Sequence, residues 1–84
     1  MSRPADPEGT LEDLDRDILD AHSRADGRRL ARLYSRAAER FTASKDHDRS
    51  AFLYVNAYVW ALEAGETDLA SNAHRILVQM DREE

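Results

Sequence analysis

Three histidines are the first side chains to weigh, because imidazole beside carboxylates can bind a metal or move a proton. They are His22, His47 and His74. His47 lies within Asp46-His47-Asp48, three adjacent groups of ligand type. Consecutive residues at a helix start point in different directions, whereas zinc sites draw on spaced ligands such as His at i and i+4. Helix capping and exposure account better for this trio. His22 falls on the apolar face of the first helical segment, four residues after Ile18, and His74 at the edge of the last apolar stripe. Both are expected to be partly buried and hydrogen-bonded. Asp13, Asp17 and Asp20 share a helix side and could chelate a hard cation, but an ordinary solvated acidic face is the commoner result of that spacing. No metal or cofactor is expected.

Nucleophilic chemistry finds no better footing. The chain has no Cys, which removes a thiolate nucleophile, a disulfide brace and a redox role together. It also lacks a Gly-x-Ser-x-Gly elbow, a phosphate-cradling glycine loop and a paired-His helix. An enzyme is therefore not expected, and no catalytic residue is assigned.

A ladder of arginines could do binding chemistry. Arg29, Arg32, Arg36 and Arg40 follow one another at steps of three and four, able to grip phosphates or an acidic peptide. The formal charge of the whole chain is -5, which argues against general nucleic-acid binding. That mean conceals an asymmetry. Residues 1–22 hold two Arg against seven acids, while residues 23–40 hold six Arg against Asp26 and Glu39. The acidic segment can neutralise part of the ladder, and no exposed aromatic interleaves with it, as single-strand binders require.

The elements that position these groups are helical. Prolines are confined to Pro4 and Pro7, and Gly9, Gly27 and Gly65 fall where the periodicity breaks. No stretch alternates polar and apolar residues as a strand would. Residues 1–9 are expected to be a disordered leader, and residues 10–84 a single domain near the lower size limit for independent folding. A first helix starts at a Thr10 cap and carries Leu11, Leu14, Ile18, Ala21 and Ala25 on one face, with Asp26-Gly27 as its stop. The second runs from about Arg28 to Ala43, with Leu30, Leu33, Tyr34, Ala37 and Phe41 opposite the arginines. Asp46 or Asp48 caps a third helix over about Arg49 to Ala64. The fourth follows Thr67 and carries Leu69, Ala73, Ile76, Leu77 and Met80, with a frayed end from Asp81. Short connections make neighbours antiparallel, so the expected fold is all-α: four helices as two helical hairpins, in a right-handed stack or a compact bundle.

The third helix is the most informative segment. From Ala51 to Leu62 it is apolar on nearly every side, interrupted by Asn56. At about 12 residues it is too short for a membrane span, which needs roughly 20. A helix apolar all round must be buried all round, and a four-helix domain offers limited cover. Phe52, Val55, Val59 and Leu62 form one coherent face. Leu53, Asn56 and Trp60 form a second, roughly opposite Tyr54, Tyr58 and Ala61. One of the latter two is expected to stay exposed, making Leu53, Tyr54, Tyr58 and Trp60 the candidate partner-binding residues. Trp and Tyr suit such a surface, each joining a large apolar body to a polar tip.

Gly65-Glu66-Thr67-Asp68-Leu69-Ala70 resembles the glycine-acid turn, followed by a small residue, of the tetratricopeptide-type helical-hairpin repeats. Tyr54, Ala57 and Leu77 then fall on aromatic, apolar and small-or-apolar positions of that repeat. Leu30-Ala31-Arg32-Leu33-Tyr34 is similar to its first helix. Tyr58, Ala61 and His74 depart from the pattern, and a hairpin here spans about 40 residues instead of about 34. The resemblance implies tetratricopeptide-like packing and carries over no ligand-binding residue. Together these readings predict a soluble, cytoplasmic, non-catalytic module that binds a protein or peptide. The alternatives are a homodimer through the third helix and, third, a small nucleic-acid-associated regulator using the arginine ladder.

Overall fold

A computed structural model describes residues 11–82 and contains four α-helices, with no strand among those residues. They are α1 (Leu11–Ser23), α2 (Gly27–Ala43), α3 (His47–Ala64) and α4 (Thr67–Arg82). The fold is all-α, as the periodicity requires. The 1–9 leader, the Thr10 cap and the last residues of the frayed end lie outside the described residues.

The three turns are built alike. In each, one residue takes the left-handed conformation: Ala25 (φ 53°), Lys45 (φ 66°) and Gly65 (φ 73°). The amide of the next residue reaches back five positions, from Asp26 to Ala21, Asp46 to Phe41 and Glu66 to Ala61, across 2.8–2.9 Å. This closes the carbonyls that every helix end leaves free. The turns recur every 20 residues, yet only the third uses glycine. The expectation that Asp26-Gly27 stops the first helix is therefore corrected. α1 ends at Ser23 on the left-handed Ala25, and Gly27 is the first residue of α2. Asp26 caps α2 instead, its carboxylate accepting from the Arg29 amide at 3.2 Å. Asp46 does the same for α3 through the Arg49 amide at 3.3 Å, so α3 starts two residues earlier than expected.

Ala38 on α2 meets Ser50 and Tyr54 near the start of α3, while Gly27 at the start of α2 meets Trp60 near the end of α3. These two helices are thus antiparallel. Tyr54 packs with Ala73 and Met80, and Ala61 with Ala70, so α3 and α4 are antiparallel as well. Helix α2 packs on α1 and α3, α3 packs on α2 and α4, and α2 also touches α4 behind α3. Among the described residues α1 and α4 do not meet, and the molecule is flattened, 45 × 30 × 17 Å.

The core changes character along this stack. Between α1 and α2 it is made of Leu14, Ala21, Leu30, Leu33 and Ala37. Full burial of each such Leu contributes roughly 1.5–3 kcal/mol. Between α2, α3 and α4 the buried residues are mostly small: Ala31 and Ala38 on α2, Ala57 and Ala61 on α3, and Ala70 and Ala73 on α4. Small side chains let helix backbones approach closely, and Tyr54 fills what remains. Ser50, also fully buried, satisfies its hydroxyl on the Ala38 carbonyl at 3.0 Å and against Thr42. No helix of the described residues is long and apolar enough to cross a membrane.

Candidate interaction surface

The alanine seam decides which side of α3 faces inward. Ser50, Tyr54, Ala57 and Ala61, at spacings of four, three and four, are the buried residues of this helix. The opposite stripe is left to solvent, and it holds the large side chains. Phe52 is 67% exposed, Val55 and Val59 47% each, and Leu62 56%. The expectation that an aromatic side would remain open is thereby corrected. Alanines on both neighbours admit the Tyr54–Ala61 side, and the Phe52–Leu62 face has no helix to cover it.

The four residues expected to bind a partner separate accordingly. Tyr54 is 3% exposed and packs among Ala38, Ala73 and Met80. Burial raises its phenol pKa, with a smaller push from the charge of Glu39. Leu53 and Trp60 are half-buried and lean on the α1–α2 core. Tyr58, also half-buried, lies against the His74 ring at 5.8 Å. Tyr58 and His74 also line a shallow open groove of about 290 Å³ between α3 and α4, together with Leu62, Thr67, Ala70 and Ser71. Leu62 joins this groove to the exposed stripe. Only Tyr58 of the four predicted residues borders the open surface, and Phe52, Val55, Val59 and Leu62 are the apolar groups that it presents.

A helix turns 100° per residue, so charges can be placed around the stripe. Arg49 and Glu63 fall on one flank, the side toward α2. Arg49 lies 5.7 Å over the Phe41 ring and 3.6 Å from the Asp46 carboxylate, and both Arg49 and Glu63 are exposed. Asn56, between them, turns its amide back to donate to the Phe52 carbonyl at 3.0 Å. That bond satisfies the polar group locally and leaves the stripe apolar.

The arginine ladder is divided by α1. Arg29 reaches Asp20 at 3.1 Å and Asp17 at 3.7 Å, so the acidic helix neutralises the ladder's first rung. Asp20 also accepts from Arg24 at 3.0 Å. That Arg24 hydrogen bond, with help from Arg29, lowers the Asp20 carboxyl pKa below its ordinary value. Asp13 pairs with Arg16. The three acids that share a helix side therefore have cations beside them. Arg40 is half-buried, and Arg32 and Arg36 are exposed with no ion pair to a described residue. Arg28 instead ties the start of α2 to Glu66 in the α3–α4 turn.

The histidines are less enclosed than expected. His22 is exposed, although its Nε2 lies 3.0 Å from the Tyr34 hydroxyl and its ring meets the Trp60 edge at 5.6 Å. Burial raises the Tyr34 pKa, so the phenol keeps its proton over the physiological range. His74 is exposed against Tyr58, and His47 is exposed in the first turn of α3. No group of three or more His and carboxylate side chains able to hold a metal comes together among the described residues. No protein-family model matches the chain, and neither a curated protein nor a solved structure is found to be similar to it.

Proposed function

We propose that this chain is a non-catalytic protein-interaction domain whose contact surface is the outer face of α3. One observation carries the reading: four large apolar side chains, Phe52, Val55, Val59 and Leu62, are exposed in one helical stripe. Together they offer a few hundred Å² of contiguous apolar surface, the size at which exposed patches on small domains mark interaction sites. The same helix keeps alanines inside, so burying the stripe against a partner needs no rearrangement of the core. The aromatic residues contribute from the border through Tyr58 and its groove.

Tetratricopeptide-like stacking remains part of this proposal. Its support is the packing of α3 on both α2 and α4, with α2 touching α4 behind it. A cytoplasmic location is supported only by the absence of Cys. The nucleic-acid reading has weaker support, because Arg29 is engaged by Asp17 and Asp20.

The test replaces Val55 and Val59 together by Lys and compares what the two immobilised forms retain from a cell extract. The expected result is that proteins held by the native domain are missing from the variant, whose helical circular dichroism is unchanged. Identical retained sets would overturn the reading.

A further inference from the structure

We infer that the outer face of α3 docks on the same face of a second copy of this chain, the two α3 helices running antiparallel about a two-fold axis. The inference rests on the interaction surface proposed above and names its occupant. Three features support it.

The first is the order of the stripe. Phe52, Val55, Val59 and Leu62 are separated by three, four and three residues, which reads the same in both directions and is centred at the level of Ala57. A two-fold interface requires such self-complementarity, since the same patch must serve both partners. Antiparallel pairing sets Val55 beside Val59 of the second copy, and Phe52 beside Leu62 of the second copy.

Charge is the second feature. Arg49 lies eight residues before the centre and Glu63 six residues after it, on one flank of the stripe. In the antiparallel pair a two-fold axis brings equal flanks together. It sets Arg49 within about 3 Å, along the helix axis, of the level of Glu63 of the second copy. Two such pairs form per dimer, as flanking charges do beside a coiled-coil seam. Parallel pairing would leave these groups about 21 Å apart along the axis. Asp48 falls near Glu66 of the second copy, and that carboxylate is already paired with Arg28 of its own chain.

The third is the position of α3 in the fold. Helices α2 and α4 touch behind it, so α3 stands forward as a ridge and a second ridge can reach it. The apolar area, a few hundred Å² per copy, is below the roughly 800 Å² per partner of a standard stable interface. The dimer is accordingly weak and concentration-dependent.

Sedimentation equilibrium on the purified chain from about 1 to 500 µM covers the affinities expected of such a contact. The native chain is expected to pass from monomer to dimer, and the Val55→Lys, Val59→Lys double variant to stay monomeric with native helicity. Arg49→Glu and Glu63→Arg should each weaken dimerisation roughly tenfold, since each turns two attractive contacts into repulsive ones. An equimolar mixture of these two variants should recover it, because every flank pair in the mixed dimer is again opposite in sign. Loss of a purely local role for either residue would not be repaired by mixing separate chains.

A native chain that remains monomeric throughout overturns the dimer. The comparison of retained proteins then decides the broader interaction reading separately. A dimer that survives the double Lys variant overturns its assignment to α3. Failure of the mixture to recover association overturns the antiparallel register.

Discussion

The Ser50 hydroxyl, fully buried in the first turn of α3, donates to the Ala38 carbonyl of α2 across 3.0 Å. Thr42 bonds the same carbonyl at 3.0 Å and lies against Ser50, so two hydroxyls lock the end of α2 to the start of α3. Position 50 thus needs a side chain that is both small and polar.

Replacing Ser50 by Ala should cost about 1 kcal/mol, the usual net value of one such bond, because Thr42 still serves the Ala38 carbonyl. Ser50→Val, which adds volume where nothing is exposed, should cost more, about 1–3 kcal/mol. Urea denaturation followed by circular dichroism measures both, and equal stability of all three forms would refute the role assigned to Ser50.

Ala61 has no exposed surface and sits between Ala31 and Ala70. Ala61→Leu should destabilise the domain by about 1–3 kcal/mol, since the extra methylenes must force α2 and α4 away from α3. A thermal midpoint unchanged by this substitution would show that the alanine seam is looser than the packing implies.

The left-handed residues make opposite predictions. Gly65 has φ 73° and open space around it, so Gly65→Ala meets no clash and still carries the left-handed backbone penalty, about 1 kcal/mol. Lys45 already carries that penalty at φ 66°. Lys45→Gly should therefore stabilise the domain, by about 0.5 kcal/mol after the loss of unfolded-state order is subtracted. The two midpoints should move in opposite directions in one denaturant series.

Asp20 gives a signed dependence on pH. Hydrogen bonding to Arg24 and Arg29 lowers its folded pKa below 3.8. Its stabilising contribution is present above that value and is lost as pH falls through the folded pKa. The native chain should therefore exceed Asp20→Asn in thermal midpoint at pH 7, with the gap closing toward pH 2. The gap should also shrink in high salt, because the pairs are solvent-exposed. A gap that is constant across pH would mean that the carboxylate charge of Asp20 has no part in it.

Much of the fold could be read from residue order alone. The spacing of Leu14, Ile18 and Ala21, and of Leu30, Leu33 and Ala37, defines two amphipathic helices whose inner faces are the ones observed. The neutralisation of Arg29 was also legible, because the acidic stretch before it must fold back alongside α2. The turn chemistry was less so. Glycine marks the left-handed position only at Gly65, whereas Ala25 and Lys45 adopt it because the flanking helices and their back-reaching amides impose it. Gly27, two residues past Ala25, pointed to the wrong stop.

The candidate surface shows where such reading ends. Residue order specifies four helices, their breaks, a segment with more apolar surface than it can hide, and the asymmetry of charge. Which side of α3 is hidden depends instead on how the helices pack. Periodicity cannot rank the faces of a helix that is apolar all round, because each satisfies the same pattern. The decision came from the partners: Ala31 and Ala38 on α2 and Ala70 and Ala73 on α4 form a seam shaped for Tyr54 and Ala61. Close approach of backbones there outweighed the burial that Phe52, Val55, Val59 and Leu62 would have gained.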